Sequence, residues 1–255
     1  MIHPTAIIDP TAQIGEGTDV GPWCVIGPDV VIGRGCVLTS HLTVAGPTKI
    51  GDGNHFFPHS SIGQRSQDLK YAGEPTFLEI GDDNAFREFC TVNRGTSPGA
   101  KTIIGSHNHF LAYSHVAHDC LVGDHVIFSN NGTLAGHVIV EDHAVIGGLS
   151  GVHQFCRIGR HAILGGCTKI VQDVPPFMIA DGNPAELRGI NQVGLERRGF
   201  TPEEVRGLRE AYRLLCRSNL NVKQACQAIR DQIAPSEHIT RLLSFIESSK
   251  RGVVR

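Results

Sequence analysis

Residues 7–38 read IIDPTAQIGEGTDVGPWCVIGPDVVIGRGCVL, and an aliphatic residue returns at every sixth position: Ile8, Ile14, Val20, Ile26, Ile32 and Leu38. An α-helix would need a period of about 3.6 and a single strand a period of 2, so neither accounts for six. Extended in both directions, the same register runs from Ile2 to Ile170 and holds Ile, Leu, Val or Phe at 26 of 29 positions. The exceptions, Asp68, Glu74 and Pro98, fall within two breaks, Gln64–Glu79 and roughly Ser97–Thr102. Glycine follows the aliphatic residue twelve times, as at Gly15, Gly33 and Gly147. Four places after it stand small residues such as Ala12, Cys36, Ser60, Ser114, Cys120 and Ala162. A large and a small inward position joined by a glycine corner define a hexapeptide-repeat solenoid, a parallel β-helix. Three hexads close one triangular coil, so residues 18 apart stack at a strand spacing of roughly 4.8 Å.

The solenoid is expected over residues 1–185, with inserted loops at about 64–79 and 97–102, and a small α-helical domain over 186–255. Beyond Ile170 the six-residue pattern stops at Asp173-Val174-Pro175-Pro176. Thr201-Pro202-Glu203-Glu204 then combines an N-cap, a proline at the first helical position and a capping-box glutamate. Val205, Leu208, Tyr212, Leu215 and Cys216 form an apolar stripe, and two shorter helices are expected over 222–233 and 236–249.

A net charge of −2 makes no case for nucleic-acid binding, but the charge is uneven. Residues 186–255 carry 13 Lys/Arg against 8 Asp/Glu, a net +5, which leaves −7 for residues 1–185. The C-terminal part therefore suits an acidic partner. The eight cysteines include no CxxC pair, and Cys24, Cys36, Cys90, Cys120 and Cys156 share one phase of the repeat, as small core residues would. A reduced, cytoplasmic protein is expected, without a signal peptide or a transmembrane segment.

The 14 histidines crowd the later coils, and the period says which ones meet. Adding 18 to His118 gives Gly136 and adding 36 gives Gln154; adding 18 to Asp119 gives His137. With His153 beside Gln154, and His115 one turn earlier, these residues form one patch about three coils tall. Three uses remain open for it. His118 could act as a general base, oriented by a carboxylate, with the unshielded Gly136 N–H stabilising an oxyanion. His115, His118 and a third histidine could instead hold zinc, as in a solenoid enzyme of the γ-carbonic anhydrase type. Or the histidines are ordinary solvated turn residues of a non-catalytic scaffold. The polar loop at Gln67-Asp68-Leu69-Lys70 is likewise either a ligand-binding excursion or a plain solvated one.

Several segments carry a more specific signal: QDLKYAGEPT (67–76), HVAHDC (115–120), LAGHV (134–138), GVHQFC (151–156), QDVPP (172–176) and GLERRGF (194–200). By these the chain resembles the UDP-N-acetylglucosamine acyltransferases, which open lipid A biosynthesis, over its whole length. The resemblance implies an all-β left-handed parallel β-helix followed by helices, assembled as a homotrimer with active sites between subunits. It implies transfer of an (R)-3-hydroxyacyl chain from acyl carrier protein to the 3-hydroxyl of UDP-GlcNAc. No metal and no other cofactor is implied: the carrier's phosphopantetheine thioester is a co-substrate.

By motif His118 would be the base, Asp119 its partner and Gly136 the oxyanion donor. Gln67, Asp68, Lys70, His115, His137, His153 and Gln154 would line the sugar and diphosphate site, and Asn191 and Arg197 would contact the nucleotide. Gly166, with Ile163, would set acyl-chain length, and its missing side chain implies a chain near that of 3-hydroxymyristate. Arg197, Arg198, Arg206, Arg209, Arg213 and Arg217 would face the acidic carrier protein. Val193 stands where better-known members have glutamate, and Pro184 where they have histidine. Some members acylate a 3-amino sugar instead. The related N-acyltransferase acting later carries an N-terminal uridine-binding domain, for which a repeat starting at Ile2 leaves no room.

Overall fold

The computed structural model describes residues 1–255. The hexads become short strands, mostly of two residues, that wind through three parallel sheets of nine, eight and ten strands. The first sheet runs from Ile7–Ile8 to Lys169–Ile170 and the second from Gln13–Ile14 to Arg157–Ile158. The third begins at Asp19–Val20 and ends in a hairpin of Met178–Asp181 against Glu186–Ile190. Ile103 pairs with Leu121 and Ile139 with Arg157, the eighteen-residue step that the hexads require.

The aliphatic register fills the prism. Val20, Ile26, Ile32, Leu38, Val44 and Ile50 are all essentially buried, and Cys24, Cys36, Cys90, Cys120 and Cys156 lie between the large residues as free thiols. Phe56, Phe86, Phe110 and Phe128 stack down the interior with ring centroids 4.9, 4.4 and 4.7 Å apart. Such pairs add roughly 0.5–1.5 kcal/mol each beyond the area they bury. A core built by stacking like on like is how a chain with 6% aromatics supports a long prism.

The inserts are visible as longer steps: Ser61 pairs with Thr91, 30 residues on, and Ala85 with His109, 24 on. The first is tighter than its sequence break, and the second begins and ends earlier than expected. Strand pairing continues through Gln64, resumes at Phe77, and after Asn93 resumes at Lys101, because Leu78 and Thr102 are buried wall residues. The excursions are thus 65–76 and 94–100.

Glu186–Ile190, grouped with the helices from sequence, is a strand that closes the third sheet. Four helices follow: α1 (Gln192–Arg197), α2 (Pro202–Cys216), α3 (Val222–Gln232) and α4 (Glu237–Glu247). The Thr201/Glu204 capping box is formed in full at α2. The short α1 was not anticipated. Its cap is Asn191, which accepts from Gly194 N–H. No helix is long and apolar enough to cross a membrane.

At most corners of the prism the second turn residue is left-handed, including non-glycine residues such as Asp119 (φ 60°), His137 (φ 61°) and Phe155 (φ 66°). Each such residue costs roughly 1–2 kcal/mol, which the ladder of parallel strands holds in place. Its side chain stacks on its counterpart one coil away. At the corner between the second and third sheets this gives a column of imidazoles, His107, His125, His143 and His161, with centroids 4.9, 4.8 and 4.7 Å apart.

Burial, with Arg198 next, holds His143 down at about 4; burial and the His143 ring hold His161 down at about 3. The folded state therefore resists protons that the unfolded chain accepts near pH 6.5. The contribution of these two histidines to stability is predicted to be full above about pH 6.5, to fall as the pH drops below it, and to level off below the folded values. Urea denaturation at a series of pH values checks this, and His143→Gln/His161→Gln should flatten the slope.

Candidate active site

The corner between the first and second sheets carries the His118 patch. Asp119 N–H is tied to Thr102 Oγ1 (2.9 Å), and His137 N–H donates to the His118 carbonyl (3.0 Å), so the two turns are in register. His118 Nδ1 lies 2.8 Å from Asp119 Oδ2, with both side chains only 11% exposed. In that shielded setting the carboxylate fixes the tautomer, placing the proton on Nδ1 and leaving Nε2 a free acceptor. His137 Nε2 approaches the same oxygen at 3.7 Å, and the two imidazoles meet edge to face at 5.2 Å.

Gly136 lies directly against the His118 ring. A Cβ built there would sit 2.5 Å from Nε2 and 2.9 Å from Nδ1, so the glycine is needed for this close approach. Its N–H donates to no acceptor in the chain. A free base and a free N–H donor thus stand side by side, the arrangement that acyl transfer needs. His115 completes the group: its Nδ1 is 2.7 Å from Thr91 Oγ1, and burial, then His118, lowers its proton affinity. It is therefore a neutral hydrogen-bonding group at pH 7.

Two residues that stacking by eighteen does not find are built into this centre. Thr96 Oγ1 lies 2.9 Å from His118 Nδ1 and 2.7 Å from Ser66 Oγ, while Thr96 N–H donates to Asp119 Oδ1 (3.3 Å). Ser66 Oγ in turn accepts from Asp68 N–H (3.1 Å). The base of the 65–76 loop is thereby wired to the imidazole, with Gln67, Asp68 and Lys70 following immediately. Thr96→Val is predicted to lower kcat about tenfold, the size of one hydrogen bond, with KM unchanged and activity restored by Thr96→Ser. Steady-state acyl-transfer kinetics read both constants.

Phe155, also unforeseen, stacks on His137 with centroids 4.6 Å apart and donates its N–H to the Gly136 carbonyl. The side chains of His153 and Gln154 are exposed one coil below, and His153 Nδ1 engages only the neighbouring Gln154 carbonyl (3.2 Å).

The remaining expected residues are elsewhere on the prism. Asn191 is buried, its Oδ1 capping α1 and its Nδ2 donating to the His161 carbonyl (3.0 Å). Arg197 lines a cavity of about 510 Å³ with Arg160, Arg198, Arg241, His143, His161 and His238, beside the imidazole column. Gly166 lies exposed at the corner between the third and first sheets, and Ile163 sits in the third sheet. These residues flank the third sheet, while His118 occupies the corner opposite it. One chain therefore does not bring the two groups together.

Two of the six arginines on the C-terminal helices are paired with carboxylates and a third is held by a neutral amide. Arg206 pairs with Glu203 (3.3 Å) and Arg213 with Glu210 (2.6 Å), while Arg209 donates to the Gln192 side chain (2.7 Å). In the cavity, Arg160 pairs with Asp142 (3.7 Å) and Arg241 with Glu237 (3.8 Å), which leaves Arg197 and Arg198 as its arginines without a carboxylate partner.

A hexapeptide-built prism with a base and a free N–H at one corner is the architecture of a hexapeptide-repeat acyltransferase. Residues 11–46 match the family model of bacterial transferase hexapeptides, six repeats, and residues 173–254 match domain 2 of UDP N-acetylglucosamine O-acyltransferase. Among solved structures, LpxA from Acinetobacter baumannii is 49% identical over 100% of this chain and 99% of its own, with a TM-score of 0.96. The UDP-N-acetylglucosamine O-acyltransferase of Moraxella catarrhalis is 45% identical over 100% and 99%, with a TM-score of 0.95. That of Bacteroides fragilis is 38% identical over the full length of both, with a TM-score of 0.98. The chain belongs to the UDP-N-acetylglucosamine acyltransferase family.

Proposed function

We propose that the protein transfers an (R)-3-hydroxyacyl chain from acyl carrier protein to the 3-hydroxyl of UDP-GlcNAc, the opening step of lipid A biosynthesis. The observation that carries the mechanism is the His118 ring, held through Nδ1 by Asp119 and packed on Gly136 with Nε2 free. His118 Nε2 takes the proton of the sugar hydroxyl as its oxygen attacks the thioester carbonyl. Gly136 N–H receives the developing oxyanion, and Asp119 stabilises the imidazolium. Collapse of the tetrahedral intermediate breaks the C–S bond, and the imidazolium returns its proton to the departing thiolate. The thioester is already activated, so no covalent enzyme intermediate is needed.

Gln67, Asp68 and Lys70 on the tethered loop, with His115, His137, His153 and Gln154, are assigned to the sugar and diphosphate. Arg197 is assigned to the nucleotide, and Asn191 to holding the helix that presents it. Placement of these two groups at opposite sides of the prism supports a homotrimer, in which the His118 corner of one copy faces the third sheet of the next. Such head-to-tail contacts close a ring of three.

Co-expression tests this. His118→Ala and Arg197→Ala are each expected to be nearly inactive, and mixed trimers of the two should regain about a quarter of the wild-type sites. A site within one chain would show no recovery. The substrate reading is tested by incubating the protein with UDP-GlcNAc or its 3-amino analogue and 3-hydroxyacyl carriers of several lengths. Failure to acylate UDP-GlcNAc from any donor would overturn it.

Gly166 is expected to leave room for a chain near fourteen carbons. The nearest atom to a Cβ there is the Gly148 carbonyl oxygen at 3.5 Å, so a side chain fits without disturbing the coil and projects outward. Gly166→Met should move the donor optimum to shorter chains, since each displaced methylene forfeits roughly 0.8 kcal/mol. An unchanged chain-length profile would remove Gly166 from this role.

A further inference from the structure

The His118 centre presents two imidazoles, donors of borderline softness, and one hard carboxylate in one place. One ligand atom from each of His118, Asp119 and His137 lies within 4.8 Å of the other two. Nδ1 and Oδ2 are 2.8 Å apart, and Oδ2 and Nε2 3.7 Å. Tetrahedral zinc, with bonds near 2.0–2.2 Å, spaces its donors roughly 3.4 Å apart. The first pair is closer than that because a proton bridges it; the second is slightly wider. An ion in place of that proton would open the first distance, close the second, draw the two imidazoles together from within 4.8 Å and displace the Thr96 hydroxyl from Nδ1. His137 is 39% exposed, which leaves a solvent-facing fourth position. Two imidazoles and one carboxylate select zinc-like ions over magnesium or calcium.

We propose that His118, Asp119 and His137 form an inhibitory site for a zinc-like divalent cation. The inhibition rests on the reading of His118 as the base, and its chemistry is determined by the tautomer. An imidazole that ligates through Nδ1 must carry its proton on Nε2. Binding therefore moves the proton from Nδ1 to Nε2, by way of solvent, with no net release from the ring. Nε2 is the atom that has to accept the sugar-hydroxyl proton, so the metal-bound ring cannot act. The ion also takes the Asp119 oxygen that would otherwise stabilise the imidazolium. Metal occupancy and catalysis exclude each other.

The test uses the metal-stripped full chain. Cobalt(II) alone should bind with one-to-one stoichiometry and give the intense visible bands of a tetrahedral complex. Zinc should displace it, and zinc should suppress acyl transfer reversibly, with EDTA restoring the rate. His137→Gln and Asp119→Asn should each weaken cobalt binding by at least about tenfold, the smaller of the losses seen even for outer-shell partners. His125→Gln, in the imidazole column and outside the site, should leave the spectrum unchanged. Absence of the tetrahedral bands, or bands that persist undiminished in His137→Gln, would overturn the site. Binding through these residues without loss of activity would overturn its inhibitory role. Failure of the base reading itself shows separately, as undiminished activity of metal-free His118→Ala.

Discussion

His118→Ala is expected to lose acyl transfer by about a hundred- to ten-thousand-fold while remaining folded, the range set by removing a positioned general base. The large chemical effect and small structural one have separate causes. The His118 side chain is held by polar partners, Asp119 and Thr96, and is no member of the hydrophobic core. Its backbone carbonyl, which accepts from His137 N–H, survives the substitution and keeps the coil in register. Removing the ring deletes the one free acceptor beside the Gly136 N–H and leaves the sugar hydroxyl with only water as its base. The fall should therefore appear in kcat, with KM little changed, and with circular dichroism and thermal midpoint close to wild type. Activity within a factor of two of wild type would remove His118 from the chemistry.

Gly136→Ala is expected to cost about a hundred- to a thousand-fold, the loss associated with an oxyanion-hole donor. Here the cause is a collision. The new methyl would stand 2.5 Å from His118 Nε2, and the ring must swing away to relieve it. Swinging it stretches the 2.8 Å contact with Asp119 and the 2.9 Å contact with Thr96 that orient the tautomer. The same methyl shields the N–H that would receive the oxyanion. Gly136 has no positive φ, so alanine meets no backbone penalty and the protein should fold. Gly147→Ala makes the contrast: its Cβ would be driven into the backbone of Leu164 and Gly165, so it should lower the melting temperature. Melting curves and kinetics on the two variants separate a glycine that serves the site from one that serves the wall.

How far the sequence reads into this site depends on what the period reaches. Stacking by eighteen correctly sets Gly136 on His118, because no insert lies between them. It cannot find Thr96, which stands 22 residues before His118 and inside the 94–100 excursion. It cannot find Ser66 either, which is tied to Thr96 from 30 residues away. Both belong to coils whose steps are lengthened by loops, and a fixed period is blind to them. Phe155 is not legible in the sequence, because one aromatic at a turn has no chemical signature until its ring is seen on His137.

The short helix α1 is hidden in the sequence for a related reason. Six residues are too few to display a helical period, and its capping residue, Asn191, reads equally well as a ligand contact. The sidedness of the prism is also beyond the period: hexads say which residues share a column, and only the folded coil shows that Arg197 and Gly166 flank a different face from His118. That separation is what makes a neighbouring copy necessary in the proposed function.

The most direct test of the central claim, that His118 acts as a metal-free general base on an activated thioester, is the initial rate of UDP-GlcNAc acylation by metal-stripped protein in EDTA. The predicted result is the full rate, lost in His118→Ala. A protein silent in EDTA and revived by stoichiometric zinc would contradict it.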